Sequence, residues 1–166
     1  MDHSSRYAKL TEFGKKLLNK PSLNEGLVLI SDTAKDLLCA QRCSIYVYDK
    51  SHNQLWTVLS DEIQKIQISA AEGVVGHTLK EKKPIISNDP YCDPMFFKEI
   101  DYQTGYVTKN IATAPVFNSS RKIIGVLQLL NKEDGFNDED TKFMIFFAHY
   151  ISSYLELASL LGDNNE

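Results

Sequence analysis

The chain is short of the features that mark several large classes of protein. Only three cysteines occur in 166 residues, Cys39, Cys43 and Cys92, and no two of them form a CxxC pair. An odd, scattered set supports neither a disulfide framework nor a zinc site, so all three read as reduced thiols. No apolar run approaches the roughly 20 residues needed to cross a bilayer, and the polar start MDHSSR has no apolar heart of a signal peptide. The expectation is a cytoplasmic location with no direct membrane insertion. Long runs of like charge are also missing: 18 basic against 22 acidic residues give a net charge of -4 spread along the chain. Without a clustered Lys/Arg face there is no footprint for a nucleic-acid backbone. No nucleophile stands with a base, no carboxylates pair, and no metal-ligand spacing occurs. His3 and His52 read as solvated, His77 as satisfied or surface, and His149 as structural. The expectation is a regulatory domain with no catalytic residues and no metal.

What the chain does have is apolar mass. Hydrophobic residues make up 43% and charged residues 24%, enough for one core, and 166 residues fit one domain. Its central part spans about 23–157. Tyr7, Leu10, Phe13, Leu17 and Leu18 recur at helical spacing, and Pro21 ends that helix. Ser22 and Glu25 form a capping-box signature ahead of a second stripe, Leu27, Ile30, Ala34, Leu37 and Leu38. CSIYVYD and LWTVLS flank a turn-rich segment as a hairpin, and QKIQIS alternates as a third strand. EGVVGHTLKEK predicts a short helix and KPIIS a strand, and MFFKEID predicts one or two helical turns. The polar, Gly-containing DYQTGYVTKN that follows reads as a lid. NIATAPVF and KIIGVLQLLNK pair around a tight turn. A last helix then runs from Asp138 to Leu161, capped by Asn137, with three acids against its positive dipole end. Phe143, Phe147, Tyr150, Tyr154, Leu157 and Leu161 make a heptad seam on it, with Phe146, Ile151 and Leu155 beside them. One face is thus expected on the sheet and the other on a partner helix. The element order predicts an α+β sandwich: a central antiparallel sheet of about six strands, with the N- and C-terminal helices on one side.

Four strings, RCSIYVYD, EGVVGHTL, DPMFFKEIDYQTGYVTKNI and IIGVLQLLNK followed by FNDED, come in an order and spacing that resembles the GAF domains of cyclic-nucleotide phosphodiesterases and bacterial adenylyl cyclases. The resemblance implies a GAF-like fold with a ligand lid on the sheet face opposite the terminal helices. It places the family's Asn-Lys-Phe-Asp-Glu signature on Asn131, Lys132, Phe136, Asp138 and Glu139, or on the shifted acids Glu139 and Asp140, with an acid bridging to Lys132 beside the pocket.

In cyclic-nucleotide-binding members the pocket lies between sheet and lid, which implies a set of contact positions here. Ser44 corresponds to a Ser that reaches the base edge. Asp61 corresponds to an acid on the pocket wall, beside Ser60 where the family has an aromatic. Val74 and Val75 begin the short helix, whose free N–H groups favour an anionic phosphate. Asp101, Thr104 and Thr108 match an Asp and two Thr of the lid, Phe97 is an apolar flap, and Gln128 stands where some members carry Glu. The implied regulatory ligand is cyclic AMP or cyclic GMP, with no cofactor required. The implied assembly is a homodimer through terminal helices 5–20 and 138–161, relaying occupancy to an output domain in a longer parent chain. The alternatives are a GAF domain that binds another molecule or none and acts as a dimerising connector, and a free methionine sulfoxide reductase using Cys92.

Overall fold

In the computed structural model of the chain, residues 3–19, 22–61 and 65–162 are described. Pro21 and the tail after residue 162 lie outside them, as do the side chains of His3 and Leu161. Helix α1 (His3–Leu18) is followed by α2 (Leu23–Leu38), which opens with the expected capping box. The Ser22 hydroxyl accepts the Glu25 N–H at 3.4 Å, and the Glu25 carboxylate accepts the Ser22 N–H at 2.8 Å.

Six strands follow: β1 (Ala40–Asp49), β2 (Gln54–Ser60), β3 (Gln67–Ser69), β4 (Ile85–Ser87), β5 (Ile111–Phe117) and β6 (Ile123–Lys132). They form one sheet in the order β3-β2-β1-β6-β5-β4, with every neighbouring pair antiparallel. Both expected hairpins are present, and pairing of β1 with β6 joins them at the centre. Gly125 of β6 lies so close to the Tyr46 carbonyl of β1 that a Cβ there would collide with it. The connections carry α3 (Gly73–Glu81), a 3-10 turn (Pro90–Cys92) and α4 (Glu99–Thr104).

Two boundaries differ from expectation. Of the strand expected over 64–69, Lys65 and Ile66 stay outside β3 (Gln67–Ser69), and Gln64 lies outside the described residues. The helix expected at 95–101 forms at Glu99–Thr104, because Asp93 accepts the Met95 N–H with its side chain (2.9 Å) and the Phe96 N–H with its carbonyl (3.1 Å). That turn uses the preceding residues, and Gly105 at φ 71° closes the helix.

Strand alternation separates two faces. Cys43 and Ile45 of β1, with Leu127 and Leu129 of β6, join Phe13, Leu37, Phe147 and Ile151 in one large core beneath α1, α2 and α5 (Asp138–Gly162). Ser44, Tyr46 and Gln128 face the other way, toward α3 and α4. Of the heptad seam of α5, Phe147 is buried in this core and Phe143, Tyr150 and Tyr154 pack against it, while Leu157 is exposed. Phe13 of α1 meets Phe147 and Tyr150 edge-on at 5.5 and 5.3 Å, and the Tyr154 ring lies against Gly26 of α2. What α1 and α5 leave exposed is Tyr7, Leu18, Ile145 and Leu157.

Candidate functional site

A row of polar side chains crosses the lid face of the sheet. Ser60, Ser44, Gln128 and Thr113 sit opposite one another on β2, β1, β6 and β5. Directly paired residues share a face, so one polar level runs through an otherwise apolar surface. The Ser44 and Ser60 hydroxyls are 3.2 Å apart, and Thr113 meets Thr78 of α3 at 2.6 Å. Ser44 is 4% exposed, Gln128 8% and Thr113 not at all. Buried polar groups of this kind need partners, and the row supplies some of them internally.

Above Ser44 and Gln128 lies a cavity of about 40 Å³, lined also by Tyr46, Val74, Val75, Phe97, Asp101 and Thr108. The lid closes over it. Asp101, on α4, accepts three hydrogen bonds: from the Tyr91 hydroxyl (2.8 Å), the Thr108 N–H (2.7 Å) and the Thr108 hydroxyl (2.8 Å). Its carboxylate therefore knits the lid to itself. Phe96 and Tyr106 also line it, and the Arg42 guanidinium lies over the Tyr106 ring at 3.6 Å. Beyond Phe97 and Ile100 an open groove of about 710 Å³ runs between β3 and α4. Phe97, Ile100, Ile66 and Ile68 line both spaces, so they form the partition between them.

Of the residues singled out from sequence, Ser44, Val74, Val75, Phe97, Asp101, Thr108 and Gln128 line the cavity. Asp61 does not. It sits at the end of β2, where its carboxylate takes the Cys43 N–H at 2.8 Å and the Lys35 ammonium at 2.9 Å, tying β2 to β1 and α2. Thr104 is also outside the cavity. Its hydroxyl donates back to the Ile100 carbonyl at 2.8 Å, as a helical Thr does, and it borders the outer groove.

In the signature, Phe136 is buried in the main core. Lys132 pairs with Asp140 (2.6 and 2.7 Å), with neither Asp138 nor Glu139. Asp140 is fully buried and also closes a reciprocal cap with Asn137, whereas Glu139 turns outward to Arg6 at 3.4 Å. Asn131 holds the far end of the lid, accepting the Lys109 N–H (2.7 Å) and donating to the Val107 carbonyl (2.9 Å).

Tyr46, Tyr91, Tyr106 and Thr113 were not anticipated. The available signal was three tyrosines, Tyr91, Tyr102 and Tyr106, within the stretch between KPIIS and NIATAPVF. Burial pushes the Tyr46 phenol far up, with a hydrogen bond to Gln128 opposing it, so it stays neutral. The hydrogen bond to Asp101 pushes Tyr91 up to about 12, keeping it a donor. Cys92 is raised by a hydrogen bond to Asp89, the opposite of what a nucleophilic thiolate requires.

A sheet with its helical scaffold on one face and a lidded polar cavity on the other defines a two-layer α+β domain with a roofed chamber. The chain belongs to the GAF domain family, whose model matches residues 22–155. It is 28% identical to the dual 3',5'-cyclic-AMP and -GMP phosphodiesterase 11A of Takifugu rubripes, covering 74% of this chain and 15% of that protein. The chain thus spans a small part of that relative's length. Among solved structures it resembles the GAF domain of a phosphoenolpyruvate-protein phosphotransferase from Coxiella burnetii, with a TM-score of 0.85 at 18% identity over 98% of this chain and 99% of that one. It also resembles the free methionine-R-sulfoxide reductase of Neisseria meningitidis, solved with its substrate, with a TM-score of 0.66 at 16% identity over 82% and 81%. At these identities the two structures share its fold. Among the described residues no helix is long and apolar enough to cross a membrane, and no group of His, Cys, Asp and Glu is placed to hold a metal.

Proposed function

We propose that this domain senses a small molecule of the cyclic-nucleotide class in the chamber between sheet and lid, and relays occupancy through its terminal helices to an output domain. One observation carries the reading. Four buried polar side chains, Ser44 and Gln128 from the sheet and Asp101 and Thr108 from the lid, converge on one cavity whose other walls are apolar. That composition suits a heteroaromatic ring with a few hydrogen-bonding edges. The first turn of α3, at Val74 and Val75, has no side-chain cap and offers backbone N–H groups to a phosphate. The likeness to a phosphodiesterase of both cyclic nucleotides supports the same class.

A cavity of about 40 Å³ holds roughly one water, and ligand sites run to roughly 300–1,000 Å³. The chamber in this structure is therefore closed, and a ligand of that size binds by stabilising an open form. Displacing Phe97 and Ile100 merges the cavity with the outer groove. Breaking the Tyr91–Asp101 bond frees the carboxylate to accept base N–H groups. A second reading, a connector that binds nothing, is favoured by the small, aromatic-lined cavity and by the three internal hydrogen bonds of Asp101.

Calorimetric titration with cyclic AMP, cyclic GMP, AMP and GMP separates the two. Heat and thermal stabilisation with a cyclic form, and none with its linear counterpart, supports the sensor. Silence with all four supports the connector.

A further inference from the structure

The lid leaves the sheet after β4 and returns at β5, and its two ends are fastened by the same device. At the outgoing end, the Asn88 side-chain amide accepts the Phe136 N–H at 2.9 Å and donates to the Phe136 carbonyl at 3.0 Å. At the returning end, the Asn110 amide accepts the Lys132 N–H at 2.8 Å and donates to the Lys132 carbonyl at 2.8 Å. A side-chain amide carries one acceptor and a donor group in the same relation as a peptide, so two bonds to one residue fix orientation as well as distance. Together the asparagines grip one short stretch, Asn110 the last residue of β6 and Asn88 the connection from β6 into α5.

That segment is shaped for the purpose. Gly135 has φ 75°, and a Cβ there would stand 2.9 Å from the Asn88 Oδ1, tighter than side chains tolerate, so glycine makes room for the outgoing fastening. Asn131 has φ 58°, and its N–H donates to the Asn110 carbonyl at 3.0 Å, adding a third bond at the returning end. From here the path into α5 is direct. Lys132 reaches the fully buried Asp140 of the first helical turn, and Asn137, next to Phe136, caps that turn.

We infer that Asn88 and Asn110 are the coupling residues through which the lid acts on the output helix α5: the two amides make the β6–α5 connection move with the lid ends. Glycine at 135 and asparagine at 88, 110 and 131 are, on this account, positioning residues that touch no ligand. The inference rests on the lid being the moving part of the proposed sensor, but not on which ligand moves it. Its test uses none, so either reading can fail alone.

The test is a double-mutant cycle read by hydrogen exchange on the full chain. Asp101→Ala removes the three hydrogen bonds that close the lid. We expect faster exchange in the lid and a several-fold rise in peptides covering 136–144. In an Asn88→Ala background, Asp101→Ala is expected to speed lid exchange as before, with the further change over 136–144 falling below two-fold. Asn88 is exposed and its replacement leaves the core intact; Asn88→Asp, which keeps the acceptor and loses the donor, should give an intermediate result. Asn110→Ala should behave like Asn88→Ala. An equal rise over 136–144 in both backgrounds would overturn the coupling. So would a lid that loosens in the wild-type background with no response over 136–144.

Discussion

On one side of the sheet, Phe13, Leu37, Ile45, Leu127, Met144, Phe147 and Ile151 merge into a single apolar mass shared by three helices. On the other, the apolar residues break into two smaller groups, around Tyr46 and around Val74, parted by Ser44, Gln128, Asp101 and Thr108. Continuous apolar packing resists rearrangement, because every displaced group loses contacts on all sides. A surface divided by polar groups can open in part, exchanging internal hydrogen bonds for those of water or a ligand. The first face is therefore built as a scaffold, and the second is built to open in part. The β6–α5 connection is where one meets the other.

Substitutions in the two faces should separate along the same line. Phe147→Ala, in the scaffold, is expected to cost about 4 kcal/mol of global stability, read from the urea midpoint, because its fully buried ring leaves a cavity among Phe13 and Phe146. A small loss would mean that the helical face is less continuous than described. Asp140→Ala should cost about 3 kcal/mol, since Lys132 would be left nearly buried without its counter-charge and the α5 cap would lose a partner. The matching change at Asp138 should be close to neutral. On the lid face, Asp101→Ala also removes a buried side chain but should lower global stability by about 1 kcal/mol or less, while lid amides exchange much faster. A global loss as large as that of Phe147→Ala would erase the distinction between the faces. Thr104→Ala should stay within about 0.5 kcal/mol of the wild-type stability, read from the same urea midpoint. Smallest of all, Asp89→Asn should speed alkylation of Cys92 at neutral pH, because removing the carboxylate lets the raised thiol pKa fall and the thiolate fraction grow.

The scaffold was legible because its signals are local and periodic. The Ser22/Glu25 box, the stripe of α2 and the two hairpins each follow from residues a few positions apart. Where the reading slipped, the deciding contact was distant or a matter of phase. Asp61 is turned from the pocket by Lys35, 26 residues earlier, and nothing in the string DEIQK announces that. Asp138, Glu139 and Asp140 are equivalent as letters. At about 100° per residue only one can face Lys132, and the cap geometry of Asn137 selects Asp140. Resemblance brought Ser44, Asp101, Thr108 and Gln128 to one place. It did not reveal that Tyr91 occupies Asp101 or that aromatic rings close the chamber.

If the lid face is a ligand site held shut by its own hydrogen bonds, Tyr91→Phe should loosen the lock. The substitution removes one donor from Asp101 without touching the cavity's other polar groups. Calorimetric titration of the wild-type chain and the Tyr91→Phe variant with cyclic AMP and cyclic GMP is expected to show binding to both proteins. The variant should be tighter by roughly five-fold, as fits the loss of one competing internal hydrogen bond. Absence of heat with either nucleotide in both proteins, or binding that weakens when Tyr91 loses its hydroxyl, would contradict a ligand site held shut in this way.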